Sequence, residues 1–399
     1  YGYDETDLEK MNTGTGPYKN ARKSIQRNSS MVQSKSRSSN YAEDFVELVE
    51  SLDCEVLLVA NLLGEDDDVL KMIRFFHERG IGIAGVELGN EYYLKAYWKT
   101  FPNVNAYIQR ATQASDRIRA EFPDIPLGAV AASSSELKSV SMKQKLYFDN
   151  WNQGLAQEDF YDALITHVYS NKKTCQDMNT QARVDCYLEH NSDFILEIET
   201  GLQSLSSTFK GKPIWITEWN MKHVFDGLGN TSLQGLYYAD FLTALAQIEE
   251  VEVATYHNLL TSSTGYNLIA KDKNRPSAKA PSHVPRAVHP VASLLAPIFD
   301  GSHRVRSFTM ESIDPKKMSI SVFADADTLR YVLINKTEAQ LSLQSLGLDI
   351  DQGGRIHSLS SRSLGESGFK IQVETIEPDE PSSIRIAPWS VTRIDSPIK

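Results

Sequence analysis

"GVELGNE", residues 85–91, carries an apolar run through Val86 and Leu88 into a polar pair, Asn90 and Glu91. "PIWITEWN", residues 213–220, makes the same move and reaches Glu218. A buried strand rejects such side chains in its middle and accepts them where the chain leaves the core. Both stretches therefore read as strands of a parallel sheet that end on a polar rim.

Outward from these two the same grammar recurs. "EVLLVAN" (55–61), "PLGAVAAS" (126–133), "DALITHVYS" (162–170) and "VEVATYHNLL" (251–260) are short, nearly continuous apolar runs, as strands covered on both faces require. Helical patterns separate them. "NYAEDFVELVESLD" (40–53) has Asn40 as a cap and Phe45, Leu48, Val49 and Leu52 at helical spacing; "DDDVLKMIRFFHERG" (66–80) has acids in its first turn and Gly80 as a stop. "NVNAYIQRATQASDRIRAEFP" (103–123), "HNSDFILEIETGLQSLSSTF" (190–209) and "LQGLYYADFLTALAQIEEVE" (233–252) complete the set. The alternation predicts an α/β chain built as a (β/α)8 barrel. Only six barrel strands can be counted, and residues 1–40, rich in Ser, Asn, Lys and Gly, hold no strand pattern. The first two strands are thus expected to be absent from this chain, with the natural N-terminus upstream of Tyr1. After "HPVASLLAPIFDG" (289–301) strands follow one another without helices, among them "SISVFAD", "LRYVLINK", "LSLQSLGLDI", "FKIQVETI" and "SIRIAPWSVTRID". A catalytic barrel over 1–298 and an antiparallel β-sandwich over 299–399 are the predicted domains.

Composition narrows the function. The chain has 399 residues, 41% of them hydrophobic, and a formal net charge of -11, so it can bury a large core and repels a phosphate backbone on average. No nucleic-acid partner, no membrane partner and no obligate protein partner is predicted; no apolar run approaches the roughly 18 residues of a membrane helix. Of the three cysteines, Cys54 reads as a buried thiol at a strand entry, whereas Cys175 and Cys186 flank a polar segment and can close a loop in an oxidising compartment. No CxxC and no Cys/His set at zinc spacing occurs, so no metal is predicted. "GIGIAG" (80–85) matches a dinucleotide fingerprint in the wrong context, since Gly80 closes a helix and Gly85 opens a strand. "GEDDDV" (64–69) lacks the alternating ligands of a calcium loop. The sequons at Asn28, Asn230 and Asn335 are short enough to arise by chance.

In a barrel the site lies at the C-terminal ends of the strands, where Glu91 and Glu218 stand. Period-two alternation puts Glu91 on the face of Gly89 and Glu87, with Gly89 leaving room beside it, and Glu218 on the face of Ile216 and Ile214. Two carboxylates facing each other across a pocket can divide the work of cleaving a glycosidic bond, with a gap of about 5–5.5 Å indicating retention of configuration. Glu91 would be the acid/base, its pKa raised by desolvation and by its partner's charge, and Glu218 the ionised nucleophile. Asn90 would bond the sugar's 2-hydroxyl. Tyr256, His257 and Asn258 end the last strand at the same mouth, and Trp219 and Trp98 are either stacking platforms or packing.

"ELGNE" and "ITEWN" resemble the acid/base and nucleophile strand ends of the clan A retaining glycoside hydrolases, especially the branch of α-L-arabinofuranosidases, β-xylosidases and heparanase-like β-glucuronidases. "THVYS" resembles the sixth-strand His-x-Tyr of those enzymes, and "IAPWSVTRID" the last strands of their accessory sandwich. The resemblance implies a secreted or periplasmic glycosidase acting on a plant or algal poly- or oligosaccharide without a cofactor. It also implies that Tyr169 or His167 holds Glu218. Tyr92 and Tyr93 depart from the pattern, standing where many relatives have Pro and a small polar residue. The rival reading is a carbohydrate-binding barrel that has lost turnover; the two carboxylates argue against it, since a pure binder has no need of a mutually repelling pair.

Overall fold

A computed structural model describes residues 41–64, 66–94, 97–132, 142–170, 175, 178–222, 227–260, 265–271, 283–299, 304–306, 314–343, 346, 354–366, 368–375 and 384–398. Helix and strand alternate from the start: α1 (Tyr41–Leu52), β1 (Val56–Val59), α2 (Asp66–His77), β2 (Ile83–Glu87), α3 (Val104–Glu121), β3 (Leu127–Val130), α4 (Met142–Leu155), β4 (Ala163–Ser170), α5 (Thr180–Thr208), β5 (Ile214–Met221), α6 (Ser232–Leu245) and β6 (Val251–Tyr256). The strands form one six-stranded sheet in chain order, β1 to β6, and β1 with β2, β2 with β3 and β3 with β4 pair in parallel. Of the predicted (β/α)8 barrel, the described residues show a half-barrel sheet of six strands. The expectation of two absent strands falls on residues 1–40, outside the described residues.

A short antiparallel pair, β7 (Ile269–Lys271) and β8 (His283–Pro285), and α7 (Val288–Leu295) follow. The remaining strands are β9 (Arg304–Arg306), β10 (Met318–Ala324), β11 (Thr328–Asn335), β12 (Leu341–Ser342), β13 (Arg355–Ser360), β14 (Lys370–Thr375), β15 (Arg385–Ile386) and β16 (Ser390–Pro397). Six of them form an antiparallel sheet in the order β14-β13-β16-β11-β10-β9, and β12 pairs with β15. Met318, Leu333, Ile356 and Ile394 of the larger sheet share one core cluster with Leu343, Leu346, Ile384 and Ile386.

Two compact units divide the chain. One lies within Tyr1–Ser135, Val140–Thr166 and Ser206–Trp215, the other within Glu136–Ser139, His167–Leu205 and Ile216–Lys399. The change of grammar near residue 299 falls inside the second unit, and β4 and β5 each give their first residues to one unit and their last to the other.

In the first unit two strand glycines make room for one tryptophan. A Cβ on Gly85 would lie 2.5 Å from the Trp215 ring, and one on Gly128 3.0 Å from the same ring and 2.4 Å from Ile165. Trp215 itself is buried. Helix α1 buries Val46 and Val49 but leaves Phe45, Leu48 and Leu52 exposed, so its core stripe is narrower than the sequence pattern. Cys54 is exposed rather than buried, because it sits in the turn between α1 and β1 and not in the strand.

In the second unit α5 begins ten residues earlier than its sequence pattern, so the polar segment between Cys175 and Cys186 is helix from Thr180 onward. Val184, Tyr187, Asn191, Phe194, Ile198, Leu202 and Leu205 recur at helical spacing and are all buried. The Cys175–Cys186 disulfide closes, with Cα atoms 5.8 Å apart, and ties the segment before α5 to the helix. Asn335 is fully buried, its amide donating at 2.8 Å to both Ala339 O and Ala387 O while its Oδ1 accepts from Thr337. With both amide hydrogens committed, the sequon there is a structural corner rather than a glycan acceptor.

The second unit also buries an ion pair. Lys336 Nζ donates to Asp240 Oδ2 at 2.8 Å and to Ser319 Oγ at 2.9 Å, and both charged residues are buried. Removing one partner strands the other charge in the core, which costs about 3–5 kcal/mol, whereas replacing both by apolar groups of similar size is nearly neutral. Lys336→Met should therefore lower stability in urea denaturation by about that amount. Adding Asp240→Leu should recover most of the loss; a Lys336→Met loss under about 1 kcal/mol would contradict this account of the pair.

Candidate active site

Glu91 is not a strand residue. β2 ends at Glu87, and the chain then turns through Gly89 at φ 110° and Glu91 at φ 50°, so strand alternation does not orient the carboxylate. Gly89 is present for a different reason from the one the sequence suggests: a Cβ there would lie 2.1 Å from the Tyr92 ring. The glycine admits Tyr92, not a substrate.

Tyrosines fix this turn. The Tyr92 hydroxyl accepts from Leu62 N at 3.1 Å, while its buried ring packs on Tyr97, Phe101 and Tyr107. Tyr107 of α3 donates to Leu88 O at 3.0 Å and accepts from Val130 N at 2.8 Å, joining the ends of β2 and β3. Burial pushes its phenol well above the ordinary range, so the hydroxyl keeps the proton it donates. Arg110 donates to Leu62 O and Gly64 O, which holds the segment after β1. The Tyr93 hydroxyl donates to Glu91 Oε1 at 3.4 Å, its ring buried against Phe148 and Trp151. Asn90 and Glu91 are half-buried in this turn.

The Glu218 end of β5 is built from other strands of the second unit. Tyr169 of β4 donates to Glu218 Oε2 at 2.7 Å, and His167, two residues earlier and buried, places Nδ1 3.6 Å from the same oxygen. Of the two residues the sequence offered as the partner that holds Glu218, Tyr169 makes the close bond. Its hydroxyl also meets His257 Nδ1 at 2.8 Å. The Glu218 side chain is 30% exposed, so the carboxylate is both held and reachable.

Three residues of this end were not singled out by sequence reasoning. Asn220, fully buried, donates to His257 O at 2.6 Å and to Tyr266 O at 3.3 Å. Gln234 of α6 donates to Gly265 O at 2.8 Å, to Tyr256 Oη at 3.1 Å and to Asn220 Oδ1 at 3.4 Å. Tyr266 packs its ring on Tyr169 and His257, and its phenol is held above the usual range by burial and by the charge of Glu218. A signal existed for Gln234 and Asn220, each a polar side chain beside large apolar neighbours in its element. None existed for Tyr266, which a loop brings back.

Trp219 and Tyr256 belong to one aromatic cluster. Trp219 is fully buried among Tyr237, Tyr238, Phe241 and Tyr256, leaving no ring face open to a sugar. Tyr256 packs in the same aromatic cluster. Trp98 is half-buried, its indole donating to Tyr93 O at 3.1 Å and its ring lying against Tyr147.

No protein-family model and no curated protein matches the sequence. Solved structures do match. A GH51 α-L-arabinofuranosidase from Thermotoga petrophila RKU-1 superposes with a TM-score of 0.63 at 15% identity, covering 88% of this chain and 78% of that one. The family 51 α-L-arabinofuranosidase AbfB from Bifidobacterium longum gives 0.63 at 12% identity over 89% and 78%. A family 44 xyloglucanase from Paenibacillus polymyxa gives 0.56 at 13% over 86% and 75%. The chain has the fold of clan A glycoside hydrolases. At 12–15% identity the likeness shows the fold alone, and the chemistry must come from the residues.

Gly89 gives a test of how the Glu91 turn is held. Gly89→Ala combines a positive φ with a collision against Tyr92, whereas Gly80→Ala meets only the backbone penalty, since nothing lies within 4 Å of its Cβ position. Urea denaturation should show a loss for Gly89→Ala that exceeds the Gly80→Ala loss by about 1–3 kcal/mol. Equal losses would mean that the Tyr92 contact does not constrain the turn.

Proposed function

We propose that the protein is a retaining glycoside hydrolase that cleaves O-glycosidic bonds of a plant or algal poly- or oligosaccharide by double displacement. The observation that carries the reading is the 2.7 Å bond from the Tyr169 hydroxyl to Glu218, on a chain with a glycoside hydrolase fold. A phenol that donates to a carboxylate favours its ionised form, which is the form a nucleophile needs. Glu218 attacks the anomeric carbon as Glu91 gives its proton to the leaving oxygen, producing a glycosyl ester. Glu91 then takes a proton from water, which attacks the same carbon and releases Glu218. Asn90, next to Glu91, bonds the sugar's 2-hydroxyl. Trp219 has no part in this reading, since its ring is fully buried in the aromatic cluster.

A secreted or periplasmic setting accords with the Cys175–Cys186 bridge, because such bonds persist in oxidising compartments. Among the described residues no helix is long and apolar enough to cross a membrane.

A panel of nitrophenyl glycosides and intact polysaccharides, read by product size, finds the substrate. On it, Glu218→Gln should lower kcat by about 10³-fold or more while leaving sugar binding in place. An unchanged rate would remove Glu218 from the mechanism. Glu91→Ala should retain turnover of activated aryl glycosides and gain rate when azide is added, since azide attacks without a general base. A variant indifferent to azide would count against the acid/base role.

A further inference from the structure

The hydroxyl of Tyr169 has one proton, and Glu218 Oε2 at 2.7 Å and His257 Nδ1 at 2.8 Å both lie within reach of it. Which neighbour receives the proton depends on the imidazole. If Nδ1 carries no hydrogen it is an acceptor and competes with the carboxylate for the phenolic proton. If Nδ1 carries a hydrogen it donates to the phenol oxygen, and the imidazole no longer competes with Glu218 for the phenolic proton. The contact on the other ring nitrogen bears on the choice. Asn258 Nδ2 lies 3.3 Å from His257 Nε2, and an amide donor there needs a lone pair on Nε2, which leaves the hydrogen of a neutral ring on Nδ1. The backbone that carries the ring is held on both sides, because His257 N donates to Trp219 O at 3.1 Å and Asn220 holds His257 O at 2.6 Å.

We infer that His257 is a positioning residue for the nucleophile: through its Nδ1 hydrogen it commits the Tyr169 proton to Glu218. The hydrogen bonds then run in one direction, from the Asn258 amide to His257, from His257 to Tyr169 and from Tyr169 to Glu218. His257 thus acts through Tyr169 rather than on the sugar. The titratable groups around this chain are Glu218 of β5, His167 and Tyr169 of β4, and Tyr266 of the segment after β6. Asn220 and Gln234, buried with their amides on the backbone of this corner, give the arrangement a rigid frame.

The inference rests on Glu218 as the nucleophile, so its test has one arm that needs no turnover. In ¹⁵N-labelled protein, the neutral side chain of His257, assigned by its loss in His257→Ala, should carry its hydrogen on Nδ1. A hydrogen on Nε2 with Nδ1 bare would overturn the inference. In the kinetic arm, His257→Ala should move the acid limb of the kcat/KM profile upward by about one pH unit, a loss of about tenfold on the acid side, because a less firmly held carboxylate protonates more readily. His257→Asn, which keeps an N–H donor near the same place, should restore most of it. In a Tyr169→Phe background His257→Ala should shift the limb no further, since the histidine's route to the carboxylate is gone. A shift that persists undiminished there would overturn the inference, as a purely structural role would produce it. Absence of turnover on every glycoside would fall on the proposed reaction, and the tautomer would then decide where the proton lies.

Discussion

An anionic side chain can end a buried parallel strand only where donors replace the water it has lost. At Glu218 that donor is the Tyr169 hydroxyl, and the buried amides of Asn220 and Gln234 are bonded into the same corner. Tyr169 comes from β4 and His257 from the residue after β6, so one short chain of hydrogen bonds binds the ends of β4, β5 and β6. Asn220 and Gln234 extend it into the backbone that follows β6. Burial makes each of these bonds stronger than it would be in water and makes each missing partner costly. A corner satisfied in this way has few alternative arrangements, which is the condition a reacting carboxylate needs.

The Glu91 end solves its problem by backbone geometry. Two residues with positive φ, Gly89 and Glu91, turn the chain away from β2, and a block of tyrosines keeps the turn closed. Tyr107 joins β2 to β3 through one hydroxyl, and Tyr92 reaches the segment after β1. Tyr93, which departs from the pattern of the resembled enzymes, touches Glu91 itself at 3.4 Å. One end therefore holds its carboxylate by a short bond from a neighbouring strand, the other by a rigid turn with a longer bond.

What could be read from the sequence follows from which interactions are local. The six strands and most helices were legible because hydrophobic runs and their spacing are local facts, and the two glutamates stood out because charge at the end of an apolar run is local too. The start of helix α5 escapes the pattern because its first ten residues look polar, although Val184 and Tyr187 among them are buried. Trp219, which the sequence leaves as either stacking platform or packing, is packing, since strand alternation turns it to the face opposite Glu218 and its ring is fully buried. The role of Gly89 was misjudged for a similar reason: the space it leaves is filled by Tyr92, three residues on, through a turn that no periodicity describes. Tyr266 and the pairing of Tyr169 with His257, 88 residues apart, were beyond any local pattern.

The central claim is that Glu218 forms a covalent bond to the sugar. Incubation with activated 2-deoxy-2-fluoro glycosides, which slow release of the glycosyl ester, followed by digestion and mass spectrometry, tests it most directly. The account predicts one adduct, on the peptide that contains Glu218, and none when Tyr169-bound Glu218 is replaced by Gln. Rapid turnover of the parent glycosides with no adduct at any carboxylate, or with the label on Glu91, would contradict it.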